Sequence, residues 1–240
     1  MRKTGSLLYL TVAASFWRVL VILAGMAVVQ LGVAVGIPKV LPESYGAPYV
    51  FSHLAFRLPA AAALILVMYT LMRSHGSRPT QTGYTMLRLP VSPTQVFLSY
   101  LVYAVAVLLL CWFAQLAVVV AATQLLAALY PAFDWGKQML FLTSVQSGYV
   151  HVLLPLLDGW SWASTTMIYV GLGFITAVGM VRSWQGKLLV WSFIFPLALS
   201  ITPLELKGHL WSSVVAALLI VGCFVEKERL VLHMRQGVRE

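Results

Sequence analysis

The sequence predicts an all-α fold: a polytopic membrane helix bundle of six transmembrane helices, with an interfacial helix at its N-terminus and a short cytoplasmic helix between the second and third spans. Of 240 residues, 60% are hydrophobic and 10% charged, with a mean hydropathy of +0.88, whereas a water-soluble domain is about one quarter charged. Apolar runs of about 18 residues or more recur along the chain, the length that crosses roughly 30 Å of hydrocarbon. Backbone groups facing lipid must be satisfied within their own segment, so such runs are helices; the alternating pattern of a barrel strand is absent. Residues 1–240 read as one membrane domain.

The first span is expected from Val19 to Ile37, ended by Pro38. Before it, residues 1–18, with Arg2, Lys3 and Arg18 around an apolar stretch, are expected to lie along the interface as a separate amphipathic helix. A simple extension of the first span is the alternative. The basic start followed by Leu7, Leu8 and Leu10 has the outline of a signal peptide, but no small-x-small site precedes a polar mature domain, so it reads as retained. Pro38 to His53, with Pro42, Gly46 and Pro48, is a loop.

A second span runs from Leu54 to Met72 across Pro59, followed by the most polar stretch of the chain, 73–95. The third apolar run, Val96 to Leu129, is too long for one upright span and must tilt or protrude. Pro131 to Lys137 is a turn. Residues 138–157 are moderately apolar but carry Gln146, Ser147, Gly148, His151 and Pro155, and are expected to form an extracellular interfacial or re-entrant helix pair. Ser164–Val181, Leu188–Leu204 (broken by Pro196) and Leu210–Val225 make the fourth to sixth spans, and a basic tail closes the chain. Trp17, Tyr130, Trp160, Trp162 and Trp211, at span ends, are expected at the membrane–water interfaces.

Lys and Arg flanking spans collect on the cytoplasmic side. With both termini inside, twelve fall there (Arg2, Lys3, Arg18, Arg73, Arg78, Arg88, Arg182, Lys187, Lys227, Arg229, Arg235, Arg239) and four outside (Lys39, Arg57, Lys137, Lys207). The expected location is therefore the plasma membrane, multi-pass. The net charge of +9, from 16 Lys plus Arg against 7 Asp plus Glu, is scattered between apolar runs without an aromatic-interleaved stripe. It suits topology signals and anionic lipid headgroups, and no nucleic-acid partner is expected. Cys111 and Cys223 lie inside apolar segments and read as core residues.

Catalytic signatures are missing from the sequence: no HExxH helix, no GxSxG, no carboxylate cluster for Mg²⁺ and no GxxxxGK(S/T) phosphate loop. His151, Pro155 and Asp158 suggest an acid–base pair only superficially, since no nucleophile or second carboxylate stands beside them. The expected spans hold almost no ionisable residue, which argues against a proton-coupled carrier. No catalytic, metal or cofactor-binding residue is expected on this chain, and any ATP drive must come from a partner.

The informative stretch is Gly83 to Thr94, between the second and third spans on the cytoplasmic side. A helix from Thr80 to Leu89, ended by Pro90, would expose Tyr84, Met86, Leu87 and Arg88, the composition of a docking knob for a soluble partner. The pattern Tyr84-Thr85-Met86-Leu87-Arg88-Leu89-Pro90-Val91-Ser92 resembles the coupling-helix region of the type-two permease family of ATP-binding-cassette transporters. The layout of N-terminal interfacial helix, six spans and cytoplasmic ends is similar too. Phe141 to Pro155, with Ser147, His151 and Pro155, also resembles small permeases of this kind from Gram-positive bacteria.

The resemblance implies a bacterial exporter's permease half. It would pair with a second permease chain, the same or different, and with cytosolic ATPase subunits that hold ATP and Mg. Tyr84, Thr85, Met86, Leu87, Arg88 and Leu89 would form the ATPase contact, and Ser147, Gly148, His151 and Pro155 a candidate extracellular gate. The chain departs from better known members in lacking a large extracellular domain and in the polar break at Ser144 to Gly148. Two other readings stand beside it: a non-transporting immunity, regulatory or assembly subunit, and a membrane-embedded lipid enzyme using His151 and Asp158.

Overall fold

The computed structural model describes residues 2–40, 46–75, 92–130, 138–156 and 159–183, all helical or in short connections without a strand. Among the described residues there are seven helices: α1 (Arg2–Val40), α2 (Ala47–Ser52), α3 (Leu54–Ser74), α4 (Pro93–Leu129), α5 (Met139–Gln146), α6 (Gly148–Leu153) and α7 (Gly159–Arg182). Four of these, α1, α3, α4 and α7, are long and apolar enough to cross a membrane. The expected fifth and sixth spans lie outside the described residues.

Helix α1 corrects the sequence reading at both ends. The expected separate interfacial helix over 1–18 is continuous with the first span, and the helix runs through Pro38 to Val40. One buried stripe explains the continuity: Leu7, Thr11, Ser15, Val19, Leu23, Met26, Gln30 and Ala34 recur at three- and four-residue steps, the spacing of one helix face. Arg18 does not interrupt it. The side chain lies off the stripe and reaches along the helix to donate from its guanidinium to Ser74 Oγ at 3.3 Å, as long basic side chains do at membrane boundaries. Pro38 sits in the last turn, where losing one backbone donor costs little.

Helix α3 keeps Pro59 within its first two turns. His53 ends α2, giving its backbone N–H to the Tyr49 and Val50 carbonyls, and starts α3, its Nδ1 accepting from the Ala55 N–H at 3.2 Å. Ser92 caps α4 by accepting from the Gln95 N–H, with Pro93 at the first helical position, where it costs no hydrogen bond. At 37 residues and about 1.5 Å per residue, α4 is nearly twice the hydrocarbon thickness, as its long apolar run requires.

Helix α4 packs against both α1 and α7, while α1 also packs against α3. Ser15 meets the Tyr103 hydroxyl at 2.9 Å, and Tyr130 donates to the Val35 carbonyl at 3.0 Å; α1 and α4 therefore run parallel. Gln30 donates to the Phe56 carbonyl, whereas Arg18 meets Ser74, so α3 runs back along α1. Helix α7 is antiparallel to α4: Trp112 lies 5.4 Å from Trp162 and 5.6 Å from Tyr169, centroid to centroid, and Gly173 abuts Val105. Trp162 thus packs inward against Trp112 rather than lining an interface, while Trp17 and Trp160 are exposed.

Candidate functional site: a polar break between the long helices

Residues 138–156 do not form one long helix. Ser147, extended at φ −99° and ψ 112°, is both the end of α5 and the start of α6, and the two short helices turn about it. Their depth follows from their contacts. The indole N–H of Trp112 donates to the Leu153 carbonyl at 3.1 Å, and Gln115 Nε2 donates to the Tyr149 hydroxyl at 2.6 Å. Both residues lie well inside α4, so the pair descends between the long helices.

The descent is possible because the freed backbone is satisfied. The last carbonyls of a helix have no partner within it, and in lipid each such orphan costs several kcal/mol. Here Trp112 of α4 takes the Leu153 carbonyl and Thr165 of α7 takes the Val152 carbonyl at 3.1 Å. Ser147 Oγ meets Ser52 Oγ at 3.1 Å, joining the break to α2.

Of the four candidate gate residues, Ser147 and Pro155 are buried, His151 is half-buried and Gly148 is exposed. Ser147 and Gly148 form the hinge itself. His151 donates its backbone N–H to the Ser147 carbonyl at 2.9 Å, the bond that holds the first turn of α6. The candidate ATPase contact, Tyr84, Thr85, Met86, Leu87, Arg88 and Leu89, lies outside the described residues, as does Asp158.

Sequence reasoning missed the polar groups beneath the break. Gln30 is fully buried and Gln115 is 3% exposed, facing Tyr149 from α1 and α4; Gln30 and Arg57 both act on its hydroxyl. Phe56 seats its ring edge-on to Tyr149 at 6.2 Å. Neither is ionisable; the signal for them in the sequence is a glutamine in the middle of each of two long apolar runs.

A second buried group closes the opposite end of the bundle. His75, fully buried just past α3, places Nδ1 2.7 Å from the Leu71 carbonyl and Nε2 3.3 Å from the Thr11 carbonyl. Its ring is T-shaped to Tyr100 at 5.1 Å. Burial pushes its pKa below the usual 6.5, against the pull of those two carbonyls. A depressed histidine is neutral in the folded chain, while the unfolded chain takes up a proton below about pH 6.5. Stability is therefore full above that pH and falls as pH drops toward the lowered folded value. Replacing His75→Gln is expected to flatten this acid loss, which melting curves in detergent between pH 7 and pH 5 would read; an unchanged slope would count against it.

Comparison of the chain with models of protein families, with curated proteins and with solved structures finds no match.

Proposed function

We propose that this chain is the membrane-spanning permease subunit of an ATP-driven exporter of the ATP-binding-cassette type, working with separate cytosolic ATPase subunits and a second permease chain. The observation that carries the reading is the segment Tyr84 to Ser92, an apolar and basic knob joining two membrane helices in a chain without a phosphate-binding loop of its own. The flanking helix ends support the reading: just past α3, His75 touches the Thr11 carbonyl of α1, so α3 ends on the N-terminal side of the bundle, which the distribution of Lys and Arg assigns to the cytoplasm.

On this reading, ATP binding closes the ATPase pair, and the knob carries the movement into α3 and α4 together. Helix α4 passes it on, because it contacts both α1 and α7 and holds α6 through Trp112 and Gln115. Both termini are cytoplasmic, and the hinge at Ser147 and Gly148 faces the outer side as the gate.

Extraction of the full chain in mild detergent is expected to bring down a separately encoded ATPase whose turnover rises in the complex. Absence of any such ATPase, or labelling of Tyr84→Cys from outside intact cells by a membrane-impermeant thiol reagent, would overturn the reading. An associated ATPase without ATP-dependent movement of any cargo in vesicles would favour the regulatory subunit instead.

A further inference from the structure

Helix α3 has 21 residues, about 31 Å at 1.5 Å per residue, so Arg73 in its last turn stands where the hydrocarbon ends. Leu58, Ala62, Leu66, Tyr69 and Arg73 follow one another at steps of three and four, which places them on one face of the helix. That face turns away from the bundle. Leu58 is 45% and Leu66 51% exposed, Ala62 and Arg73 are exposed and Tyr69 is half-buried. An apolar strip therefore runs along α3 and ends in a cation.

The cation is held in place. The Arg73 guanidinium donates to the Tyr69 hydroxyl and lies over the Tyr69 ring, 5.7 Å from its centroid, which turns it back toward the strip. A second guanidinium reaches the same helix end from α1. Arg18, itself exposed, donates to Ser74 Oγ at 3.3 Å, one residue beyond Arg73. Beside it Trp17 is 76% exposed, and aromatic rings of this kind settle at headgroup level. The described residues contain no Asp or Glu, so the charge of this helix end is purely cationic among them.

A ligand that fits must be anionic, must place its charge at the level of Arg73 and must carry a long apolar part for the strip. A soluble anion gains nothing from Leu66 and Leu58, and a zwitterionic lipid brings a cation of its own to an end that already has two. We infer that Arg18 and Arg73 bind the headgroup of an anionic phospholipid, with Ser74 and Tyr69 positioning the two guanidinia and the acyl chains lying along Leu66, Ala62 and Leu58. Arginine suits the role, because its planar set of donors grips a phosphate in pairs where lysine offers a point charge. The site stands or falls independently of the transport reading, since its test needs neither ATPase nor cargo.

The test is lipid binding to the purified full-length chain by native mass spectrometry, titrating phosphatidylglycerol, phosphatidylethanolamine and phosphatidylcholine. Wild type is expected to prefer phosphatidylglycerol about tenfold over the other two. Arg18→Gln and Arg73→Gln are each expected to lower that preference roughly threefold, and the double variant to erase it. Both side chains are exposed, so these variants keep the fold. Lys39→Gln removes an exposed cation at the opposite end of α1 and should leave the preference intact. Tyr69→Leu keeps every charge but frees Arg73, and should lower the preference where net charge alone would not. Equal binding of the three lipids by wild type, a loss at Lys39 equal to that at Arg73, or a preference that survives the double variant would overturn the inference. Displacement of phosphatidylglycerol by an equal concentration of inorganic phosphate would overturn the lipid assignment in favour of a free anion.

Discussion

If the proposed permease role holds, replacing Leu87 and Arg88 together by Asp is expected to release the partner ATPase from the chain, weakening association by about 30-fold or more. A few apolar and arginine anchors carry most of the binding energy at such contacts, and losing one costs about 2 kcal/mol or more, which is roughly 30-fold in affinity. Leu87→Asp removes an apolar anchor and forces a carboxylate to desolvate, and Arg88→Asp reverses a charge, so any acidic counterpart on the partner becomes repulsive. Positions 87 and 88 lie outside the expected spans, so insertion and helical content should be unchanged. Co-purification yield and the ATPase rate of the reconstituted pair read the effect. A double variant that assembles and turns over like the wild type would remove the docking role of the segment.

The contrast between what the sequence disclosed and what it concealed follows from where each signal sits. Apolar runs are set by the thickness of the bilayer, so the helices around Leu54, Val96 and Ser164 could be placed to within a few residues. The break at Ser147 and Gly148 was legible because a polar pair interrupts an otherwise apolar stretch, and Ser147 is where α5 gives way to α6. The continuity of α1 was harder to read. Arg2, Lys3 and Arg18 marked a boundary on composition, while the buried stripe from Leu7 to Ala34 passes beside Arg18 unaffected. Composition counts a charge wherever it lies; packing counts only the face on which it lies.

The same limitation hid the polar centre. Arg57 reads in the sequence as an external topology signal, whereas in the fold it follows Phe56, whose carbonyl accepts from the buried Gln30. Nothing local in the sequence joins Gln30, Arg57, Gln115 and Tyr149, which come from four different helices. Their meeting requires the parallel run of α1 and α4 and the descent of α6 between them. That descent depends in turn on the side chains of Trp112 and Thr165, whose donors replace the backbone partners that α6 lacks at its end.

Gly173→Ala is expected to destabilise the bundle by about 1 to 3 kcal/mol, and Gly179→Ala by distinctly less. Both glycines sit on the face of α7 turned toward its neighbours, and at either position an added Cβ would meet an atom at 2.5 Å. The difference is what it meets. At Gly173 the obstacle is Val105 Cγ2, with the Val105 Cα and N only 3.1 and 3.2 Å away. A β-branched side chain on a helix has essentially one favoured rotamer, and the backbone behind it cannot yield unless α7 moves off α4. At Gly179 the near atoms are Met72 Cε at 2.5 Å and Sδ at 2.7 Å, the far end of a flexible thioether that can turn aside into another rotamer. Membrane helices associate by close packing rather than by expelling water, so small residues at a contact set how near two backbones come. Separating α4 from α7 would also strain the Trp112–Tyr169 stack and draw Thr165 away from the Val152 carbonyl. Thermal unfolding of the two single variants in the same detergent measures the difference directly, and equal losses at both positions would show that the α4–α7 approach at Val105 is not the tight contact that determines this part of the fold.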